Sequence, residues 1–129
     1  MANLEEKASR FRQLHEGPAA FLIANAWDAG SARVLAGLGF AALATSSSAA
    51  AGTLGQRDGS ITRAQAMAQA HAIADATDLP VSADLEKGYA DTPAGVAETI
   101  RLCAVAGLVG ASIEDATGDA GHPLFELEL

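Results

Sequence analysis

Four short apolar runs, each separated from the next by a segment of helical periodicity, constrain this chain more than any other feature. Ala19 to Ala24, Ala41 to Ala44, Leu79 to Ala83 and Val109 to Ile113 each read as a buried strand. Ahead of the first, Leu4, Ala8, Phe11 and Leu14 share one face of a helix from Leu4 to His15. Asp28 stands where an N-cap belongs, before a helix of about Ser31 to Leu38 closed by Gly39. Thr62-Arg63-Ala64-Gln65 has the capping-box pattern and opens a helix to about Asp75, with Ala66, Ala70, Ile73 and Ala74 on one face. Thr92-Pro93 supplies a cap and a first-turn proline for another helix. There Val96, Ile100, Cys103 and Ala104 form the expected buried stripe, and Gly107 ends it. Such β-α alternation predicts a parallel sheet with helices outside it.

A closed (β/α)8 TIM-barrel-type fold takes ~250 residues. Residues 1–129 therefore read as a single domain carrying about the first four β-α units of such a barrel. The Ser-, Ala- and Gly-rich stretch from Thr45 to Gly59 reads as a loop, and a further helix is expected to begin at Glu126-Leu127-Glu128-Leu129. Half a barrel would leave two raw sheet edges and expose its inner side chains. The expectation is a parent protein of about twice the length, or tight pairing with a second copy.

Composition narrows the class. Half the residues are apolar and only 5% aromatic, which suits close packing of helices on a sheet. Eight basic residues against sixteen acidic ones give a net charge of −8. The basic residues are scattered, so no nucleic-acid footprint forms. No apolar run approaches the ~20 residues of a membrane span. The charged start, Met1 to Lys7, is unlike a signal peptide, and the lone Cys103 excludes an internal disulfide. A cytoplasmic protein without nucleic-acid or membrane partners is expected.

The chemistry sits where strands end. Val81-Ser82-Ala83-Asp84-Leu85-Glu86-Lys87-Gly88-Tyr89 and Ala111-Ser112-Ile113-Glu114-Asp115 both pass abruptly from apolar residues to carboxylates. The C-terminal strand ends of a parallel barrel share one face, where α/β enzymes keep their chemistry. Asp84 and Glu86 alternate at period two and can face the same side, and Glu114 adds a third oxygen donor. Clustered carboxylates repel unless a proton or cation neutralises them, and a hard cation such as Mg²⁺ suits oxygen ligands. The plainer readings are a turn-capping Asp84 and a surface ion pair for one of Glu114 and Asp115. Thr45-Ser46-Ser47-Ser48 offers hydroxyls and N–H groups to an anion, or is simply a polar loop. Trp27 could wall a pocket, Asp28 reads as a helix cap, and Asp58 taken alone is equally a turn residue. Gly52-Thr53-Leu54-Gly55 matches no nucleotide-binding loop. Cys103 reads as a packed helix residue, His15 and His71 as helix-surface residues, and no histidine has metal-ligand spacing.

At these residues the chain resembles the isocitrate lyase and phosphoenolpyruvate mutase superfamily, from about Ala20 to Gly118. Asn25-Ala26-Trp27-Asp28-Ala29-Gly30-Ser31-Ala32-Arg33 resembles the segment after that family's first strand. Ser46-Ser47-Ser48 with Gly55-Gln56-Arg57-Asp58 is similar to its substrate loop, and Asp84 to Tyr89 to its Asp-x-Asp/Glu-x-Gly-Tyr metal motif. Ser112-Ile113-Glu114-Asp115 resembles its next strand end.

The resemblance implies a (β/α)8 barrel, a homo-oligomer that is tetrameric in many members, binding Mg²⁺ (Mn²⁺ as a substitute) and a small 2-oxo acid or phosphonate. Members make or break a C–C or P–C bond beside an enolate, whose charge the metal stabilises as a Lewis acid. By this likeness Asp84 is the closest metal ligand, while Glu86 and Glu114 hold metal-bound waters. Ser46 and Ser47 bind the substrate carboxylate within the Ser46–Ser48 loop, Trp27 walls the pocket, and Asp58 serves catalysis by ordering the loop or the metal's waters. The lyases carry Lys-x-Cys-Gly-His after the fourth strand, whereas this chain reads Gly118-Asp119-Ala120-Gly121-His122. That departure points to the mutase or oxo-acid hydrolase/decarboxylase branch rather than isocitrate-type cleavage. The alternatives are a non-catalytic barrel half and a small-molecule-binding module.

Overall fold

The computed structural model describes residues 3–126. Helix α1 (Leu4–Glu16) opens on a reciprocal cap, in which Asn3 Oδ1 accepts the Glu6 N–H and the Glu6 carboxylate accepts the Asn3 N–H. There follow β1 (Ile23–Asn25), α2 (Ala29–Gly37), β2 (Ala42–Ala44), α3 (Ser47–Thr53), α4 (Arg63–Asp75), β3 (Val81–Asp84), α5 (Pro93–Val105) and β4 (Gly110–Ser112). The four strands form one parallel sheet in the order β1-β2-β3-β4. Ile23 lies opposite Ala42, Leu43 opposite Val81, and Ser82 opposite Gly110. Strands that add one after another, always through a helix, wind as a barrel does; a doubly wound sheet reverses its order partway. The fold is the α/β, TIM-barrel type expected from the sequence.

One face of the sheet carries the core. Leu43, Val81, Ala83 and Leu85 are buried together with Ala32 of α2, Ala70, Ile73 and Ala74 of α4, and Cys103 of α5. By the alternation of a strand, Ser82 and Asp84 point to the opposite face. There the Phe11 ring of α1 lies against Gly110 and beside the Ser82 hydroxyl, so close that a Cβ at Gly110 would stand 2.7 Å from the ring. Lys7 Nζ donates to the carbonyls of Ala74 and Thr77 at the end of α4, where a cation complements the unpaired carbonyls. Helix α1 thus lies across the N-terminal end of the sheet.

Four local expectations change. The first strand is shorter than Ala19 to Ala24: only Ile23–Asn25 pairs, and Leu22 is 79% exposed at what is an edge of the sheet. The expected loop from Thr45 to Gly59 holds a helix, α3, because Ser46 caps a run of alanines, the strongest helix formers. On α5 the buried stripe is rotated: Thr99 and Cys103 are buried, whereas Ile100 is 41% exposed and Ala104 is exposed. A polar residue can take the inner position because its hydroxyl finds backbone partners there. After β4 an antiparallel hairpin forms, β5 (Ala116–Asp119) with β6 (His122–Leu124). The helix expected at 126–129 falls, apart from Glu126, outside the described residues. Among the described residues no helix is long and apolar enough to cross a membrane.

Candidate active site

The C-terminal ends of the strands are stitched into one rim by side chains. Asn25 Nδ2, at the end of β1, donates to the Thr45 carbonyl just past β2 at 2.8 Å. The Thr45 hydroxyl, buried, accepts the Asp84 N–H at 3.0 Å. Asp84 ends β3, and its carboxylate is engaged twice: Oδ2 accepts the Ser47 N–H at 2.9 Å and Oδ1 the Glu86 N–H at 3.2 Å. The turn-capping role is therefore real, since Asp84 holds the first turn of α3. A carboxylate has about four acceptor positions, so both oxygens keep a free lone pair for a further partner.

Beyond Asp84 the backbone leaves ordinary conformations. Glu86 (φ +49°), Gly88 (φ +84°) and Tyr89 (φ +54°) all lie in the left-handed region, which only glycine enters without cost. Gly88 is doubly required, because a Cβ there would stand 2.9 Å from both Val96 methyls on α5. This turn places the Glu86 carboxyl under the Tyr89 hydroxyl, which donates to Oε1 at 3.2 Å. The Glu86 carbonyl accepts the Glu114 N–H at 2.8 Å and so draws the end of β4 to the same place.

Ser47, Asp58, Glu86 and Glu114 line an open cleft of about 410 Å³, together with Lys87 and Thr117. Desolvation pushes the Glu86 carboxyl above its ordinary value; the Tyr89 hydrogen bond opposes this, and the charges of Asp58, Asp84 and Glu114 add to it. Burial, then the Glu86 charge, drives the Tyr89 phenol upward as well, so it remains a donor. Lys87, the basic residue among those lining the cleft, pairs with Asp91 at 2.6 Å and donates to the Thr117 carbonyl of the hairpin at 3.2 Å.

The structure brings Asp58, Glu86, Glu114 and Ser47 around one cleft, with Asp84 just behind it, bonded to Ser47 and close enough for its charge to act on Glu86. Ser48 and Trp27 are set apart from it, around an adjoining pocket of about 460 Å³, and Ser46 borders both that pocket and the crevice lined by Ser47, Asp84 and Tyr89. Ser46 caps α3 by accepting the Ala49 N–H, and Trp27 is 60% exposed. Asp28 is the cap of α2. Sequence reasoning offered Thr45 only as part of an anion-binding loop and Lys87 and Tyr89 only as members of a motif, and assigned none of them, nor Asn25, an individual role. The one signal for them was position, since each lies within five residues of a strand's last residue.

Among the described residues no three Asp, Glu, His or Cys side chains close into a metal cage. The donors nonetheless fit a small hard cation: all are oxygens, they carry excess negative charge, and Mg²⁺ usually keeps several waters while touching one or two carboxylates. Asp84 would be the direct ligand, with Glu86 and Glu114 reaching through water.

Carboxylates and hydroxyls here gather at the C-terminal ends of parallel strands, the face on which barrel enzymes build their sites. The family model for phosphoenolpyruvate phosphomutase matches residues 11–129, and the chain belongs to that family. A crystal structure of a protein proposed to be a lyase or mutase from Burkholderia cenocepacia superposes with a TM-score of 0.95 at 51% identity, over 97% of this chain and 45% of that one. A proposed phosphonomutase from the same organism gives 0.91 at 41% identity, over 98% and 50%. A 2-methylisocitrate lyase of Halalkalibacterium halodurans is 35% identical over 112 residues, 86% of this chain and 37% of that protein. The chain spans half or less of the length of these relatives.

Proposed function

We propose that this chain supplies the metal- and substrate-binding rim of a lyase or mutase that makes or breaks a C–C or P–C bond in a small 2-oxo acid or phosphonate. The observation that carries this reading is the cluster of Asp58, Asp84, Glu86 and Glu114 at the C-terminal rim of a parallel sheet, with Glu86 pushed toward its protonated form. A bound Mg²⁺ or Mn²⁺ would supply the positive charge that offsets an enolate oxygen.

The chain's own groups do the rest. Asp84, already fixed by two N–H donors, offers its free lone pairs without having to be reordered. Glu86 and Glu114 accept from ligand-bound water. Ser46 and Ser47 orient the substrate carboxylate, Trp27 and Ser48 wall the adjoining pocket, and Asp58 orders the loop that faces Glu86. The sole cysteine, Cys103, is buried in α5 against Met67 and lines no part of the cleft, so this chain brings no cysteine acid/base to the reaction. That favours the mutase or oxo-acid hydrolase/decarboxylase branch.

A second reading, binding without turnover, is favoured by one observation: among the described residues β1 and β4 each pair along one edge only. A homo-oligomer would cover those edges. Turnover of oxaloacetate, phosphonopyruvate and related acids, with and without Mg²⁺, separates the two. Mg²⁺-dependent turnover supports the enzyme, saturable Mn²⁺ binding without turnover supports the second reading, and neither result sinks both.

A further inference from the structure

Behind the rim lies a buried hydroxyl that the proposed chemistry does not use. Thr99 on α5 is fully buried, and its Oγ1 donates to the Gly88 carbonyl at 2.7 Å, with the Gly95 carbonyl at 3.2 Å as the alternative acceptor. Arg63 at the start of α4 donates into the same oxygen at 3.5 Å. A buried side chain of this kind is out of place on the inner face of a helix unless its partners require it. Its partner here is the central residue of the left-handed turn that carries Glu86 and Tyr89.

We propose that Thr99 is a positioning residue for the carboxylate rim, acting through Gly88. Three left-handed residues within four positions persist only where the surroundings over-determine them. Val96 leaves no room for anything but glycine at position 88, and Thr99 ties down the carbonyl of that glycine. With Gly88 fixed, the Tyr89 hydroxyl meets Glu86, and the Glu86 carbonyl holds the Glu114 N–H. One hydroxyl on the far side of the loop thereby sets the aim of two carboxyl groups. Partners one shell behind a metal ligand act in this way, by removing alternative orientations.

The metal readout of the test rests on the proposed function; the spectroscopic one does not. Tyr89 is the only tyrosine in the chain, so the tyrosine doublet in an ultraviolet resonance Raman spectrum reports this one hydroxyl. Thr99→Val keeps the shape and removes the donor, and Thr99→Ser keeps the donor. The expected result is a shifted Tyr89 doublet and Mn²⁺ affinity weaker by about ten- to a hundredfold in Thr99→Val, with both restored in Thr99→Ser. Should Thr99→Val not fold, Thr99→Ala, which also lacks a donor, takes its place with the same two readouts. An unchanged doublet, or a shifted doublet with Mn²⁺ affinity intact, overturns the inference. If wild type binds no Mn²⁺, the metal reading fails by itself, and the doublet alone decides whether Thr99 sets the turn.

Discussion

The two ends of the sheet are built on opposite terms. At the N-terminal end the polar contacts are plainly structural: Asn3 and Glu6 cap α1, and Lys7 closes the end of α4. There Phe11 fills the space left by Gly110. At the C-terminal end like charges crowd together, three residues sit in left-handed backbone, and Glu86 resists ionisation. One end is held by capping and packing alone, whereas the other also crowds like charges together. In barrel enzymes the chemistry sits at the C-terminal face and the opposite face serves stability. The contrast is visible here within four β-α units.

The sharpest way to break this division is to delete its central carboxylate. Asp84→Ala should abolish divalent-cation binding measured by calorimetry while the chain stays folded. Loss of its two N–H contacts should lower stability by no more than about 1–3 kcal/mol, because the N-terminal end is untouched. Unchanged Mn²⁺ affinity in the folded variant would remove Asp84 from the metal assignment.

The mirror experiment strikes the opposite end. Gly110→Leu drives a side chain into the Phe11 ring and should cost about 1–3 kcal/mol by urea unfolding. Adding Phe11→Ala should recover part of that loss, since the two changes share one space and cannot be additive. Mn²⁺ affinity should stay near wild type. A collapse of metal binding in Gly110→Leu would show that the two ends are not separable.

How far these ends were legible in the sequence differs for physical reasons. The strands ending at Asp84 and near Glu114 were readable, because apolar runs that stop in carboxylates are local patterns. The N-cap at Asp28 and the capping box at Thr62 were readable for the same reason. Helix α3 was not, since Ser and Gly suggest a loop and its first turn is held by the Ser46 cap together with a tertiary contact, the Ser47 N–H on Asp84. The α5 stripe was misjudged by one position: hydropathy ranks Ile100 above Thr99, whereas the Gly88 carbonyl demands a hydroxyl. The separation of Ser48 and Trp27 from the carboxylates is likewise invisible in spacing, because it depends on which way α3 turns.

A smaller effect tests the charge on the upper end. Glu86 has a raised carboxyl in the folded chain, so the folded state holds its proton more tightly than the unfolded state does. Stability should therefore fall as pH rises from the ordinary carboxylate range through the raised value, and level off above it. The slope is modest because the group is only part-buried. Glu86→Gln should flatten it in metal-free urea unfolding, and saturating Mg²⁺ should do the same to wild type. Stability that instead rises with pH across that window would contradict the crowding of charge at this rim.

The smallest effect is expected at the one thiol. Cys103 is 5% exposed between the sheet and α4, with its Sγ 3.8 Å from Met67 Sδ, and desolvation pushes its thiol above the usual range. A thiol in that setting is almost wholly protonated at neutral pH, and the thiolate is the reactive form. It belongs to the packed layer between the two ends and reaches neither. Alkylation by iodoacetamide should be slow in the native chain and fast in denaturant, while Cys103→Ser should leave metal affinity and any turnover near wild type. A fall of several orders of magnitude in turnover, with the fold intact, would mean that this layer takes part in the chemistry and that the rim does not act alone.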